Sequence, residues 1–268
     1  MNAYRIDSPA GDPLPVVASI PHTGTALLPG YSERLASDAM RALPMTDWHM
    51  AALFDFLPAL GVTVISAQVS RFVIDLNRPP DDEALYPGRY ETGLVPLESF
   101  AGDPVYANPP TLEETATARR EIYDPYHRAL AELRANRREY GGVIQLDLHS
   151  VTPAANRVSK PLTQEIMLGD RDGRSCAPWL TQTVREAYMG AGFSVSVNDP
   201  YKGGWITENA GREADVEALQ IEMSWAAYLD PARPGESAGE PLFATARERL
   251  RAVFADFLPA ATARLRQG

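Results

Sequence analysis

The chain has little of what builds a covalent framework. Its 268 residues include a single cysteine, Cys176, which excludes an internal disulfide and any cysteine-rich zinc site. The run Asp172-Gly-Arg-Ser-Cys-Ala-Pro178 reads as a loop with no histidine near it in sequence, so no thiol nucleophile is expected there. Basic residues are also short. Lys and Arg number 25 against 35 Asp and Glu, a net charge of −10. Such a chain repels nucleic acid and anionic membrane, and neither is an expected partner. A long uninterrupted apolar run is missing too. The most apolar stretch, 50–69, is broken by Asp55, Pro58, Gly61 and Gln68, which are costly in lipid. Residues 1–15 show no basic-then-apolar leader pattern, and the expected location is cytoplasmic. The sequence shows no internal repeat, linker or glycine-rich phosphate fingerprint. Lys202-Gly203-Gly204 lacks the strand–loop–helix spacing that a phosphate cradle needs.

What is present is an ordinary globular composition, 45% apolar and 22% charged, on a chain long enough for one large domain, expected over 1–268. Pro15-Val-Val-Ala-Ser-Ile20 is a short apolar run closed by Pro21, the pattern of a buried parallel strand. Thr46 is placed to cap a helix from Asp47 to about Leu60. Strands are expected at 62–66 and 72–75. Residues 79–110 hold ten prolines and glycines in 32 positions, a loop of the length that walls or covers sites. Thr111 caps a helical stretch to about Tyr140, closed by Gly141-Gly142. A strand at 143–147, a helix near 177–189, strands near 193–197 and 219–223, and a helix over 241–265 complete the reading. Strands alternating with helices imply an α/β fold of three layers, a mostly parallel sheet covered on both faces.

In such sheets ligands sit beyond the carboxyl ends of the strands. The expected strand ends carry His22, then Asp75-Leu-Asn-Arg78, then Asp147-Leu-His149, then Gln220-Ile-Glu222. Two histidines with a carboxylate are a common ligand set of a catalytic zinc that leaves a position open for water. Each residue alone is also accounted for as an ordinary loop residue; their shared rim makes the site. Asp47 at a helix start is equally explained by the helix dipole, and His127, in mid-helix, by packing or support of another group. Arg71, Arg78 and Lys202 are cations near that rim. Arg presents a planar fork matched to a carboxylate, although pairing with Asp81 or Asp82 would also account for the arginines. Arg71 precedes its strand and would lie at the opposite rim unless the chain bends there.

With these residues placed, the sequence resembles the N-formylglutamate amidohydrolase family, the formylglutamate deformylases of histidine degradation. The segments that carry the resemblance are Pro21-His-Thr-Gly-Thr25, Thr46-Asp-Trp-His49, Ser70-Arg-Phe-Val-Ile-Asp-Leu-Asn-Arg-Pro79, Leu85-Tyr-Pro-Gly88, Pro125-Tyr-His-Arg128, Asp147-Leu-His-Ser150, Lys202-Gly-Gly-Trp-Ile-Thr207 and Leu219-Gln-Ile-Glu222. Through its likeness to the zinc carboxypeptidases and aspartoacylase, it implies zinc, or another divalent metal, held by His22 and His149. It implies Glu222 as general base and Arg71 at the reacting carbonyl. Asn77 and Arg78, with His49 and Lys202, would meet a small anionic substrate. Position 25 is Thr where the related enzymes carry a ligating Glu, so the third ligand must come from elsewhere, with Asp47 the nearest candidate and His49 its competitor. Glu208-Asn-Ala-Gly211 replaces the family's Arg-His-Tyr-Gly, a departure that bears on substrate preference. The rival readings are a hydrolase of another N-acyl amino acid or small peptide, and a metal-free carboxylate-binding module.

Overall fold

The computed structural model describes residues 2–265. Seven strands form one sheet: β1 (Tyr4–Asp7), β2 (Val16–Ile20), β3 (Thr63–Ala67), β4 (Val143–Val151), β5 (Ile166–Gly169), β6 (Val195–Val197) and β7 (Val216–Ser224). Their order is β1-β3-β2-β4-β7-β5-β6. The central β3, β2, β4 and β7 are parallel, β1 and β5 pair antiparallel at either side, and β6 runs with β5. The helices are α1 (Tyr31–Arg34), α2 (Asp38–Arg41), α3 (Met50–Leu53), α4 (Leu112–Ala118), α5 (Asp124–Ala135), α6 (Pro178–Gly190), α7 (Trp205–Gly211) and α8 (Pro241–Leu265).

Side-chain alternation in the central strands sets the layers. Val16, Ala18, Ile20, Leu146, Leu148, Leu219 and Ile221 point to one face, where α3, α6 and α8 close an apolar core around Leu180, Leu250 and Phe254. The other face starts apolar, with Val17 and Ala218 against Tyr126 of α5 and Ile206 of α7. Toward the carboxyl ends it turns polar. Ser19, Asp147 and Gln220 lie in one row of the register, and His149 pairs with Glu222 in the next. All five are buried. A sheet covered on both sides hides this polar strip, and buried polar groups must then satisfy one another.

Three expected elements differ. The helix expected over 47–60 is reduced to α3 and a 3-10 turn at Leu57–Leu60. His49 is left-handed (φ 60°), and the Asp47 carboxylate accepts from Ser150 N–H rather than folding back as a cap. No strand forms at 72–75. Ser70 closes a turn there, its carbonyl accepting from Val73 N–H and its hydroxyl from Phe72 N–H. That bend carries Arg71 to the same rim as Arg78. The stretch 111–140 breaks into α4, a π turn at Arg119–Tyr123, α5 and a 3-10 turn at Arg138–Tyr140. Thr111 and Glu114 form a reciprocal capping box at its start. The long loop is held along this helix: Arg119 donates to Pro80 O, Tyr123 to Arg78 O and His127 to Leu76 O.

Candidate metal centre and substrate cavity

His22 follows β2, Asp47 lies in the turn before α3, and His149 and Glu222 lie near the ends of β4 and β7. The fold brings His22, Asp47 and His149 into one buried group. His149 Nδ1 lies 3.1 Å from His22 Nδ1 and 3.2 Å from Asp47 Oδ2, and the His22 and Asp47 atoms are 3.8 Å apart. A tetrahedral metal with bonds of about 2.0–2.1 Å sets its ligand atoms roughly 3.3 Å apart, close to this spacing.

The far sides of both rings face carboxylates. His22 Nε2 lies 2.7 Å from Asp75 Oδ1, and His149 Nε2 lies 3.1 Å from Asp147 Oδ2. Each Nε2 proton thereby has an acceptor, and the two Nδ1 lone pairs turn inward beside the Asp47 oxygen. Three such atoms facing one another need either a metal ion or a shared proton on His149 Nδ1 between them. Carboxylates placed behind ligating histidines also fix tautomer and ring angle. The donor set therefore fits zinc or a similar divalent ion.

The electrostatics agree in direction. Burial and the Arg71 guanidinium hold the His22 pKa below its ordinary value. Burial alone would lower His149 too, but Asp147, Asp47 and Glu222 outweigh it and raise its proton affinity well above the usual range. Asp75, despite burial, is held well below the usual carboxylate range by Arg71, His22 and Arg78. Burial pushes Glu222 up to about 8, with Asp47 and Asp147 adding to the rise while His149 and Arg71 oppose it.

These groups open into a cavity of about 610 Å³, which Arg71, Asn77, Arg78, Lys202, Gln220 and Glu222 also line. Arg71 Nη2 pairs with Asp75 Oδ2 at 2.5 Å, while its buried Nε has no partner. Arg78 meets only neutral oxygens, Nε and Nη2 on the Thr92 carbonyl and hydroxyl and Nη1 on Asn77 O. Among the described residues no carboxylate lies within ion-pair distance of it. Neither Asp81 nor Asp82 is the arginines' partner; the Asp82 carboxylate accepts from Leu94 N–H instead.

Other sequence candidates are placed differently. His49 does not line the cavity: its left-handed backbone turns Nε2 to the Pro234 carbonyl, 3.0 Å away. It is neither the third ligand of the buried group nor a cavity contact. The Asn77 amide is engaged, Oδ1 accepting from Ile206 N–H and Nδ2 lying 3.1 Å from His149 Nε2. Its oxygen is spent on the start of α7, and its Nδ2 can donate to His149 only in the tautomer that leaves Nε2 unprotonated. Lys202 lines the cavity but is ion-paired with Asp172 at 2.9 Å. At the departure after Thr207, Glu208 pairs with Arg171 and Arg212. Asp75, Asp147 and Gln220 were missed as supporting groups. The signal was available: polar residues at alternate positions of doubly buried strands, Gln145-Asp147-His149 and Gln220-Glu222, all face one way.

Known proteins share this arrangement of chain. A profile of the N-formylglutamate amidohydrolase family matches residues 14–229. An N-formylglutamate deformylase of Pseudomonas aeruginosa is 37% identical over 226 residues, covering 82% of this chain and 84% of that protein. One from Pseudomonas putida is 35% identical over 250 residues, covering 90% and 93%. The crystal structure of N-formylglutamate amidohydrolase from Ralstonia eutropha superposes with a TM-score of 0.82 at 28% identity over the whole of both chains. A protein of Agrobacterium tumefaciens, with TM-score 0.72 and 19% identity over 99% of this chain and 96% of its own, shares the fold. On the family match and the length of these alignments, the chain belongs to the N-formylglutamate amidohydrolase family.

Proposed function

We propose that the protein hydrolyses N-formyl-L-glutamate to formate and L-glutamate, the deformylation step of histidine degradation. The observation that carries this reading is the convergence of His22 Nδ1, His149 Nδ1 and Asp47 Oδ2 beside the orphaned Arg71 Nε and the base candidate Glu222. Amide hydrolysis is slow because water is a weak nucleophile and the carbonyl is resonance-stabilised. A divalent metal held by His22, Asp47 and His149 would lower the pKa of water to about 7 and polarise the carbonyl.

The chain's own groups do the rest. Glu222 accepts the proton of the attacking water and delivers it to the amide nitrogen as the C–N bond breaks. Burial raises its proton affinity, and a cation held by Asp47 beside it would oppose that rise and favour the ionised form that accepts the proton. Arg71, fixed by Asp75, keeps one N–H unspent for the oxygen that gains charge. Arg78 lacks an acidic partner and supplies the positive end for a substrate carboxylate. A formyl group offers little surface, so positioning must come from the amino-acid end. A metal-free binding module would have no use for a buried carboxylate of high proton affinity beside two histidines.

The test is metal analysis of purified protein, followed by assay on formyl-, acetyl- and succinyl-amino acids. Near-stoichiometric zinc and preference for formylglutamate are expected. Absence of bound metal with no turnover after zinc addition would leave the carboxylate-binding reading, and preference for a larger acyl group would move the substrate assignment.

A further inference from the structure

We infer that Gln220 is a positioning residue that fixes the orientation of the Glu222 carboxylate, an inference that rests on Glu222 as the base. Gln220 precedes Glu222 by two residues on β7, so both side chains share a face of the sheet. It is 5% exposed. Its Oε1 accepts from Gly204 N–H at 2.7 Å, and its Nε2 donates to Glu222 Oε2 at 3.1 Å. A backbone N–H only donates, so the amide must turn its oxygen to Gly204 and its NH2 to Glu222. Chemistry thus decides which end faces the base.

The anchor is rigid. An added Cβ at Gly204 would lie 2.3 Å from Asn77 Nδ2, so the backbone there rests directly on the Asn77 side chain. Asn77 in turn accepts from Ile206 N–H. Gly204 and Ile206 at the start of α7 are therefore held by amides from two other segments. The terminal torsion of a glutamate is broad and nearly two-fold. A donor clamped on Oε2 removes that freedom and leaves the second oxygen to handle the proton. A residue that merely caps α7 would need no donor aimed at Glu222.

The test is a cycle of wild type, Gln220→Met, Glu222→Gln and the double variant. All are brought to the same zinc content, assayed on formylglutamate, melted thermally and crystallised. Gln220→Met is expected to lower kcat by about 10–100-fold, the size of one charge-assisted hydrogen bond. KM should stay within about two-fold, and the substitution should add nothing to the loss already caused by Glu222→Gln. Its crystal structure should show the Glu222 carboxylate rotated or split between orientations. An equal loss in both backgrounds, a rise in KM with kcat intact, or an unmoved carboxylate overturns the proposal. Wild-type turnover in Glu222→Gln would instead remove the base assignment, and the carboxylate's position in Gln220→Met would still judge the clamp. If Gln220→Met melts too low to assay, Gln220→Leu, likewise apolar and without a donor, takes its place in the cycle, and the same pattern is expected.

Discussion

Arg71 and Arg78 share a cavity but are bonded differently, and they should fail differently. Arg71 is tied to a carboxylate through one arm and keeps Nε for a ligand; Arg78 is propped by neutral oxygens and has no carboxylate within ion-pair distance among the described residues. Arg78→Ala should weaken substrate binding by about 2–5 kcal/mol, as removing one partner of a buried charge pair does. Arg71→Ala should lower kcat by about 10²–10³-fold, as loss of an oxyanion donor does. Steady-state kinetics separate the two, and an unchanged KM in Arg78→Ala would end the clamp assignment. Cys176 supplies a contrast. Burial raises its thiol pKa to about 12, so it should resist thiol reagents at pH 8 and react only on unfolding, which titration with and without denaturant would show. Residues that end strands, such as His22, His149 and Glu222, are legible in sequence because strand ends point to sites. Alternation marks Gln220 as facing the same way as Glu222, but which side chain it or Asp75 holds is revealed only by three-dimensional distance.

At the scale of elements, the helix over 111–135 supports the loop that carries Asn77 and Arg78. His127 is its titratable member. Burial lowers its pKa to about 4, with the bond to Leu76 O opposing that fall. The folded state therefore binds the proton less readily than the unfolded chain, whose histidine titrates near 6.5. Stability from this group is complete above about pH 6.5 and is lost as pH falls toward 4, by about 3 kcal/mol in total. Urea melts across that range should fall more steeply for wild type than for His127→Gln; parallel curves would exclude the effect. The strand expected at 72–75 shows why elements were only partly legible. Phe72, Val73 and Ile74 are as buried and as β-favouring as any strand residue, but the bend at Ser70 and the ion pair between Arg71 and Asp75 set the backbone. Apolar pattern reports burial, and a buried turn satisfies it equally well.

At the scale of the whole molecule, layering was readable because continuous apolar strands require cover on both faces. Strand β5, where no strand was expected, and its reversal against β7 were not, since so short an apolar run marks neither a strand nor its direction. The central strip also concentrates charge. Asp47, Asp75, Asp147 and Glu222 are buried together, within a chain of net charge −10. A cation bound only by the folded state offsets that concentration, so chelation should lower the melting temperature. Zinc at about a hundred times its dissociation constant should restore roughly 2.7 kcal/mol. Calorimetry of chelated and reloaded protein checks this, and identical melts would mean the buried histidines and Asp47 hold no metal.

The bonds from Arg119, Tyr123 and His127 to the carbonyls of Pro80, Arg78 and Leu76 act as a ruler. Donors spaced four apart on the helix meet carbonyls spaced two apart on a loop that runs through turns and bends, so one segment is set against the other notch by notch. An ordinary helix overshoots a full circle by about 40° in four residues, and the wider turn at Arg119–Tyr123 takes that drift back, keeping all three donors on one edge. Such a gauge tolerates no change of length in 76–80: one residue more or fewer would set every carbonyl off its mark and swing Arg78 away from the cavity. Length variation among relatives that keep this gauge is therefore expected only beyond Pro80, where the loop leaves the helix.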